Sequence, residues 1–194
     1  MGRPREFDEY EVTQRALEAF WNRGYQATSM ANLTEAMGLA KGSVYKGFGD
    51  KKSLFLRALD IYLENGRAEY RAVDDPELSA EQVVRTWLKK VAELATDGAP
   101  RKGCFGVNCA TELGPHDTEV RTRIEAHEAW LHRRLAQTIQ RGVDAGEFRQ
   151  DLRPAEAARW VTTVMAGMQV RGKIGISRRE ANRMADFAME ALTD

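Results

Sequence analysis

The segment Thr28 to Lys52, TSMANLTEAMGLAKGSVYKGFGDKK, is the one stretch of this chain whose residue order asks for a single local geometry. Thr28 or Ser29 can cap a first short helix, and Met30, Leu33, Ala36 and Met37 recur at the three-and-four spacing of one buried face. Gly38 ends that helix in a left-handed turn that glycine takes without strain, and Leu39 folds back on the helix just completed. A second short helix, Ala40 to Phe48, turns Val44 and Phe48 inward and leaves Lys41, Gly42, Ser43, Tyr45 and Lys46 outside. Small residues at its start permit close approach to a flat surface, and free amides with the positive end of the dipole attract phosphate. The pattern is that of a helix-turn-helix whose second helix enters the DNA major groove.

A glycine-turned helix pair also occurs in proteins that never meet nucleic acid, and local charge favours the DNA reading. Between positions 40 and 57, Lys41, Lys46, Lys51, Lys52 and Arg57 stand against the single acid Asp50. Upstream, Val12, Ala16, Leu17, Ala19 and Phe20 mark an amphipathic helix from Asp8 to Arg23, with Trp21 near its end and Gly24 as its stop. Ahead of it, Gly2-Arg3-Pro4-Arg5 is a short basic arm that either lies along the minor groove or hangs free. Downstream, Asp50 caps a fourth helix to about Arg71, with Leu54, Phe55, Ala58, Leu59, Tyr62 and Leu63 on its buried face. That length carries it out of the small N-terminal unit.

The order Gly24-Tyr25-Gln26-Ala27-Thr28-Ser29-Met30, then Gly38 to Phe48, then Lys51-Lys52-Ser53-Leu54-Phe55 resembles the N-terminal domain of the TetR family of bacterial transcriptional repressors. One departure is visible: Lys46-Gly47-Phe48 stands where many members carry Tyr or His before the final Phe. The resemblance implies a homodimer that binds a palindromic operator in double-stranded DNA and is released by a small-molecule effector. Lys41, Ser43, Tyr45 and Lys46 then face the major groove, with Thr28, Gly42 and Lys51 near phosphates, and the fourth helix is the lever between effector and reading head. The resemblance also implies a four-helix dimer contact made by the last two helices.

At 194 residues and 43% hydrophobic, the chain can bury a proper core. The fold expected is all-α with about nine helices: a helix-turn-helix domain over 1–49 and a larger effector-binding and dimerisation domain over 50–194. The charged N-terminus and the lack of any apolar run near the ~18 residues of a membrane span point to the cytoplasm, with no membrane partner. The balance of 29 basic and 29 acidic residues excludes a uniformly basic coat but leaves room for a local patch. Two cysteines are too few for a disulfide framework or a structural zinc site, and His116, His127 and His132 lack the spacing that puts two imidazoles on one helical face. No metal and no cofactor is expected.

In the second domain, Asp74-Asp75-Pro76 breaks the chain, and a helix from about Ser79 to Thr96 carries Val83, Val84, Trp87, Leu88, Val91 and Leu94. After Asp97-Gly98-Ala99-Pro100, a helix of small and apolar residues is expected over Lys102 to Leu113. Plain helix packing explains any one of these residues. Together they make one wall of a candidate effector pocket, with Trp87, Phe105 and Trp130 as apolar lining and Cys104 and Asn108 on the wall. Cys104 and Cys109, five apart on one helix, point roughly 140° apart and cannot pair with each other. A buried inert pair is one reading. The other is a reactive Cys104 thiol behind Arg101 and Lys102, as in TetR-like repressors that sense electrophiles or oxidants.

Asp117 or Thr118 opens a long helix to about Ala145, with Val120, Ile124, His127, Leu131, Leu135, Thr138, Ile139 and Val143 in one stripe. The last two helices, about 154–173 and 178–192, present Ala157, Ala158, Trp160, Val161, Val164, Met165, Gly167 and Met168, then Met184, Phe187, Ala188 and Leu192. Those stripes serve either a dimer contact or the chain's own core. Two further function classes remain: a helical protein-interaction module, and an all-α enzyme with Cys104, His116 and Glu112 as nucleophile, base and orienter. A regulator rather than an enzyme is the reading the sequence favours.

Overall fold

Four of the first five helices start where the sequence supplies a capping side chain. The computed structural model describes residues 8–98 and 101–193, which hold nine α-helices and no strand. The basic arm Gly2 to Arg5 and the Ala99-Pro100 stop lie outside the described residues. Helix α1 (Glu9–Arg23) begins with the Asp8 carboxylate accepting from the amides of Tyr10 and Glu11. Helix α2 (Met30–Met37) is capped by Ser29 rather than Thr28, in a capping box with Asn32. Gly38 ends it at φ 66°, ψ 28°, and the Leu39 amide donates to the Thr34 carbonyl at 3.1 Å, the six-to-one bond of a Schellman turn. Helix α3 (Lys41–Phe48) buries Val44 and Phe48. Asp50 caps α4 (Lys51–Val73), its carboxylate accepting from the Ser53 amide at 2.7 Å.

The remaining helices are α5 (Ala80–Thr96), α6 (Phe105–Glu112), α7 (Thr118–Asp144), α8 (Pro154–Lys173) and α9 (Arg178–Thr193). Three local expectations need correction. Ala36 is exposed, because so short a helix as α2 sinks only Leu33 and Met37 fully. Leu94 is exposed, one helical turn past Val91 on the edge of α5. The helix expected from Lys102 starts only at Phe105, with Cys104 as its N-cap, because Gly103 sits at φ 64° and breaks the helical path.

Packing does not divide where the 49/50 boundary was drawn. One apolar core joins α1, α2, α3 and the first half of α4 to Phe105, Cys109 and Leu113 around α6, and to Val120 and Ile124 of α7. A second core joins α5, the C-terminal half of α7, α8 and α9, with Tyr70 and Val73 of α4 against it. At about 1.5 Å per residue, α4 spans roughly 35 Å and belongs to both. The stripe read on α8 splits in two. Ala157, Ala158, Val161, Met165 and Met168 enter the chain's own core, while Trp160 stays exposed, as Phe187 does on α9; Val170 and the C-cap Ile174, which the stripe did not include, are exposed as well.

Candidate functional site

The outward face of α3 holds Lys41, Gly42, Ser43, Tyr45 and Lys46, all exposed, over a floor made by Val44 and Phe48. Ala40 caps nothing with its side chain, so no side chain occupies the first turn of α3 as Ser29 and Asp50 occupy those of α2 and α4. That end of the helix can take an anion. A Cβ added at Gly42 meets nothing within 4 Å, so the helix can approach a flat partner closely there. The Lys41 ammonium stands 5.8 Å from the Tyr45 ring centre.

Three residues beside this face are placed differently from it. Thr28 is 0% exposed, and its hydroxyl donates to the Gly24 carbonyl at 2.6 Å. Its side chain locks the α1–α2 turn and cannot reach a phosphate as it stands, which corrects the sequence reading. Lys51 holds its ammonium 4.3 Å from the centre of the Tyr25 ring, half-buried at the edge of the head. Lys52 is tied in an ion pair to Asp117, at the start of α7, so its charge is neutralised rather than displayed.

Above the head, α4, α5, α6, α7 and α8 enclose a cavity of about 620 Å³. Of the pocket residues read from the sequence, Trp87 and Cys104 line it. The other three do not. Phe105 points down into the head's core, because the helix start at Cys104 turns the next residue away from the cavity. Asn108 faces sideways, donating to the Lys102 carbonyl at 2.9 Å and accepting from the Lys173 ammonium at 3.1 Å. Trp130 packs behind the wall against Tyr70 and His127, with the Arg67 and Arg71 guanidiniums over its ring. Sequence reasoning missed Tyr70, His132 and Gln169 as lining and left His127 and Tyr62 to the core. The one available signal was Tyr62, Gly66 and Tyr70 at four-residue spacing on α4, a glycine between two rings leaving a hole on that face.

Burial keeps several of the polar groups in and behind the cavity wall neutral. Burial, then the nearby Cys104, holds the Tyr62 phenol well above its usual range; its hydroxyl donates to the Cys104 sulfur and accepts the Phe105 amide, both at 3.2 Å. Burial likewise pushes the Tyr70 phenol and the Cys109 thiol up, so both stay protonated. Burial first, and the Arg67 guanidinium second, depress His127 to about 4. Arg101 and Lys102, read as activators of Cys104, are engaged elsewhere: Arg101 donates to the Ile176 carbonyl at 2.9 Å, and Lys102 pairs with Glu18.

Helix α6 is the wall shared by cavity and head. Gly106, Val107, Ala110 and Thr111 face the cavity, while Phe105 and Cys109 face the head. Both its ends are pinned to the head as well. Before the helix, the Gly103 carbonyl accepts the Trp21 indole N–H at 3.0 Å. At its last residue, the Glu112 carboxylate accepts the amides of Tyr25 and Gln26 at 3.1 and 2.9 Å. Gly24 makes this possible: it sits at φ 81°, and a Cβ there would lie 2.9 Å from a Glu112 oxygen. Glu112 is thus far from the role of an orienter in a triad. His116 is exposed, and Cys104 lies at the opposite end of α6, on the order of 12 Å away along the helix. Among the described residues no group of three His, Cys, Asp or Glu side chains is placed to hold a metal ion, and no helix is long and apolar enough to cross a membrane.

Known proteins resemble this chain in sequence and in fold. Residues 12–58 match the family model for bacterial regulatory proteins of the tetR family, and residues 80–188 match the tetracyclin repressor-like C-terminal domain. The HTH-type transcriptional repressor ComR of Escherichia coli (strain K12) is 28% identical over 185 residues, covering 95% of this chain and 88% of its own. The uncharacterized HTH-type transcriptional regulator YezE of Bacillus subtilis (strain 168) is 32% identical over 148 residues, 76% of each chain. A solved structure of a cysteine mutant of the TetR family transcriptional regulator CifR, complexed with a 26-bp double-strand operator DNA, is 33% identical. It superposes with a TM-score of 0.85 over 98% of this chain and 100% of that one. With both halves matched in order by the family models, this chain belongs to the TetR family of bacterial transcriptional regulators.

Proposed function

We propose that the protein is a transcriptional repressor, not an enzyme, that reads a palindromic DNA operator as a homodimer and leaves it when a small molecule fills the cavity. The observation that carries this reading is the exposed outer face of α3, where Lys41, Ser43, Tyr45 and Lys46 surround a helix start with no side-chain cap. Lys41 and Lys46 supply charge for phosphates and base edges, Ser43 and Tyr45 contact base edges, and Gly42 lets the backbone come close. Lys51, held over Tyr25, places its ammonium near a backbone phosphate. The operator-bound CifR structure and the repressor ComR support the same reading. A protein that reads operator DNA in a bacterium works in the cytoplasm, where that DNA lies.

One short helix offers few base contacts, and a twofold pair reads two half-sites in successive grooves. The apolar side chains left outside by α8 and α9 support that dimer: Ile174 is 73% exposed and Phe187 70%, and Trp160, Gly167 and Val170, seven and three residues apart, share one face of α8 with Ile174 at its C-cap. Release follows from the shared wall. An occupant that displaces α6 moves the Glu112 carboxylate and the α1–α2 turn bound to it, and so changes the tilt of the reading head. A second reading rests on Cys104, which lines the cavity with its sulfur beside the Tyr62 hydroxyl, where an electrophile that enters can meet the thiol.

Selection of bound duplexes from a random pool tests the proposal. The expected result is a palindrome with half-sites about one helical turn apart, lost when a ligand fills the cavity. If an electrophile removes binding in the wild type but not in Cys104→Ser, the thiol reading stands. No enriched sequence at all moves the reading to a protein-interaction module.

A further inference from the structure

Among the described residues Trp87 is the largest fully buried side chain, 1% exposed on the α5 wall of the cavity, and its indole N–H finds no acceptor there. The ring meets Tyr70 edge-on at 5.0 Å, which fixes its orientation. On the α7 side of the cavity, the Nδ1 of His127 is also buried without a partner among the described residues. Three other polar groups of the lining are engaged: Tyr62 bonds Cys104, the Gln169 amide donates to the Val91 carbonyl at 3.2 Å, and His132 bonds the Thr162 hydroxyl at 2.8 Å; behind the lining, the Arg67 Nε near His127 is also buried without a partner among the described residues. An unmet donor inside an apolar wall is costly, and a bound acceptor removes that cost.

Charge points the same way. The charged lining residues are two acids, Glu69 and Glu128, and two bases, Lys90 and Arg159, so the wall carries no excess of either sign. Glu69 and Lys90 pair with each other at 3.1 Å near the surface, and Glu128 and Arg159 are exposed. Inward of them stand Leu63, Val73, Val91, Ile124 and Met165 with the aromatic rings. His127 is neutral near pH 7, and Arg67 beside it is turned to Glu64 and the Trp130 ring. An ion entering this interior gives up its hydration for no fixed counter-charge among the buried lining residues. A cavity of about 620 Å³ has the size of a site for one small organic molecule.

From these observations we propose that the cavity takes an uncharged, largely apolar and preferably aromatic molecule with a hydrogen-bond acceptor that receives the Trp87 indole N–H. The inference names the chemical class of the effector and rests on the effector reading above.

Titrating the whole protein with naphthalene dyes tests it. The neutral ketone 6-propionyl-2-(dimethylamino)naphthalene presents an acceptor; the same dye with its carbonyl reduced to CH₂ lacks one; anilinonaphthalene sulfonate is an anion. The ketone is expected to bind with a blue-shifted emission, about threefold to tenfold more tightly than the reduced dye and at least as far above the anion. In Trp87→Phe the ketone should lose that advantage while the reduced dye binds as before. If Trp87→Phe fails to fold by circular dichroism, the ranking of the three dyes on the wild type decides. An anion that binds as tightly as the ketone, a ketone with no advantage over the reduced dye, or no binding by any dye overturns the inference. Operator occupancy in the same samples keeps the two readings apart. A charged dye that binds and releases the operator overturns the ligand class and leaves the effector reading intact. Dyes that bind in the expected order without releasing DNA uphold the class and contradict the effector reading.

Discussion

Helices α3 and α6 are both eight residues long and both start without a side-chain cap, yet they sit in opposite surroundings. α3 buries two residues and gives the rest of its surface, first turn included, to the outside. α6 is enclosed: its first amide donates to the Tyr62 hydroxyl, one face fills the head's core, another lines the cavity, and its last carboxylate holds the α1–α2 turn. The direction in which an uncapped helix end points separates their roles. Outward, it is free for a partner the protein must reach; inward, it makes the helix a joint between two cores.

The contrast breaks first at Phe105. Its ring meets Trp21, Phe55 and Tyr62, and Phe105→Ala should cost about 3–5 kcal/mol in denaturant unfolding, whereas no residue on the outer face of α3 should cost a tenth of that. A loss under about 1 kcal/mol would mean that α6 is not part of the head's core.

His127 gives the next largest effect, through pH. Its folded pKa of about 4 lies below the 6.5 of the free side chain, so between these values the unfolded chain binds the extra proton. Stability from this residue is complete above pH 6.5 and falls as pH drops toward 4, by about 3 kcal/mol. Urea midpoints measured across that window should slope in the wild type and flatten in His127→Phe.

A smaller change sharpens the comparison at Glu112. Glu112→Gln keeps one acceptor and loses the charge, so one of the Tyr25 and Gln26 amides is weakened; a loss of about 1 kcal/mol is expected. The same variant should respond less to a ligand in the cavity, read as a smaller shift in operator affinity at saturation. The smallest effect is at Gly42, where Gly42→Ala should raise stability by roughly 0.5 kcal/mol while lowering DNA affinity, since the new methyl stands where the partner approaches.

How much of this was legible follows the same divide. The head could be read because its signals are local: Ser29, Gly38 and Asp50 fix helix ends within a few residues, and Val44 with Phe48 fixes which way α3 faces. Thr28 was misplaced because Ser29 one residue on caps equally well, and the resulting turn buries the threonine. The cavity was read poorly because its walls come from five helices between positions 62 and 169, and no short window contains their relation. Phe105 and Asn108 lie on α6 as expected, but shifting the helix start from Lys102 to Phe105 changes which face each presents. The Glu112 clamp joins residues 86 and 87 positions apart, and only the close approach at Gly24 hints at it.

The central claim, that α3 displays its charge to DNA while neighbouring lysines are held within the protein, is tested most directly by the salt dependence of binding to the selected duplex. Lys46 is exposed on α3; Lys52, six residues on, is paired with Asp117. Lys46→Ala should lower the slope of log K against log salt by about one with the fold unchanged, and Lys52→Ala should leave that slope as it was. A slope reduced by Lys52→Ala and untouched by Lys46→Ala would contradict the account.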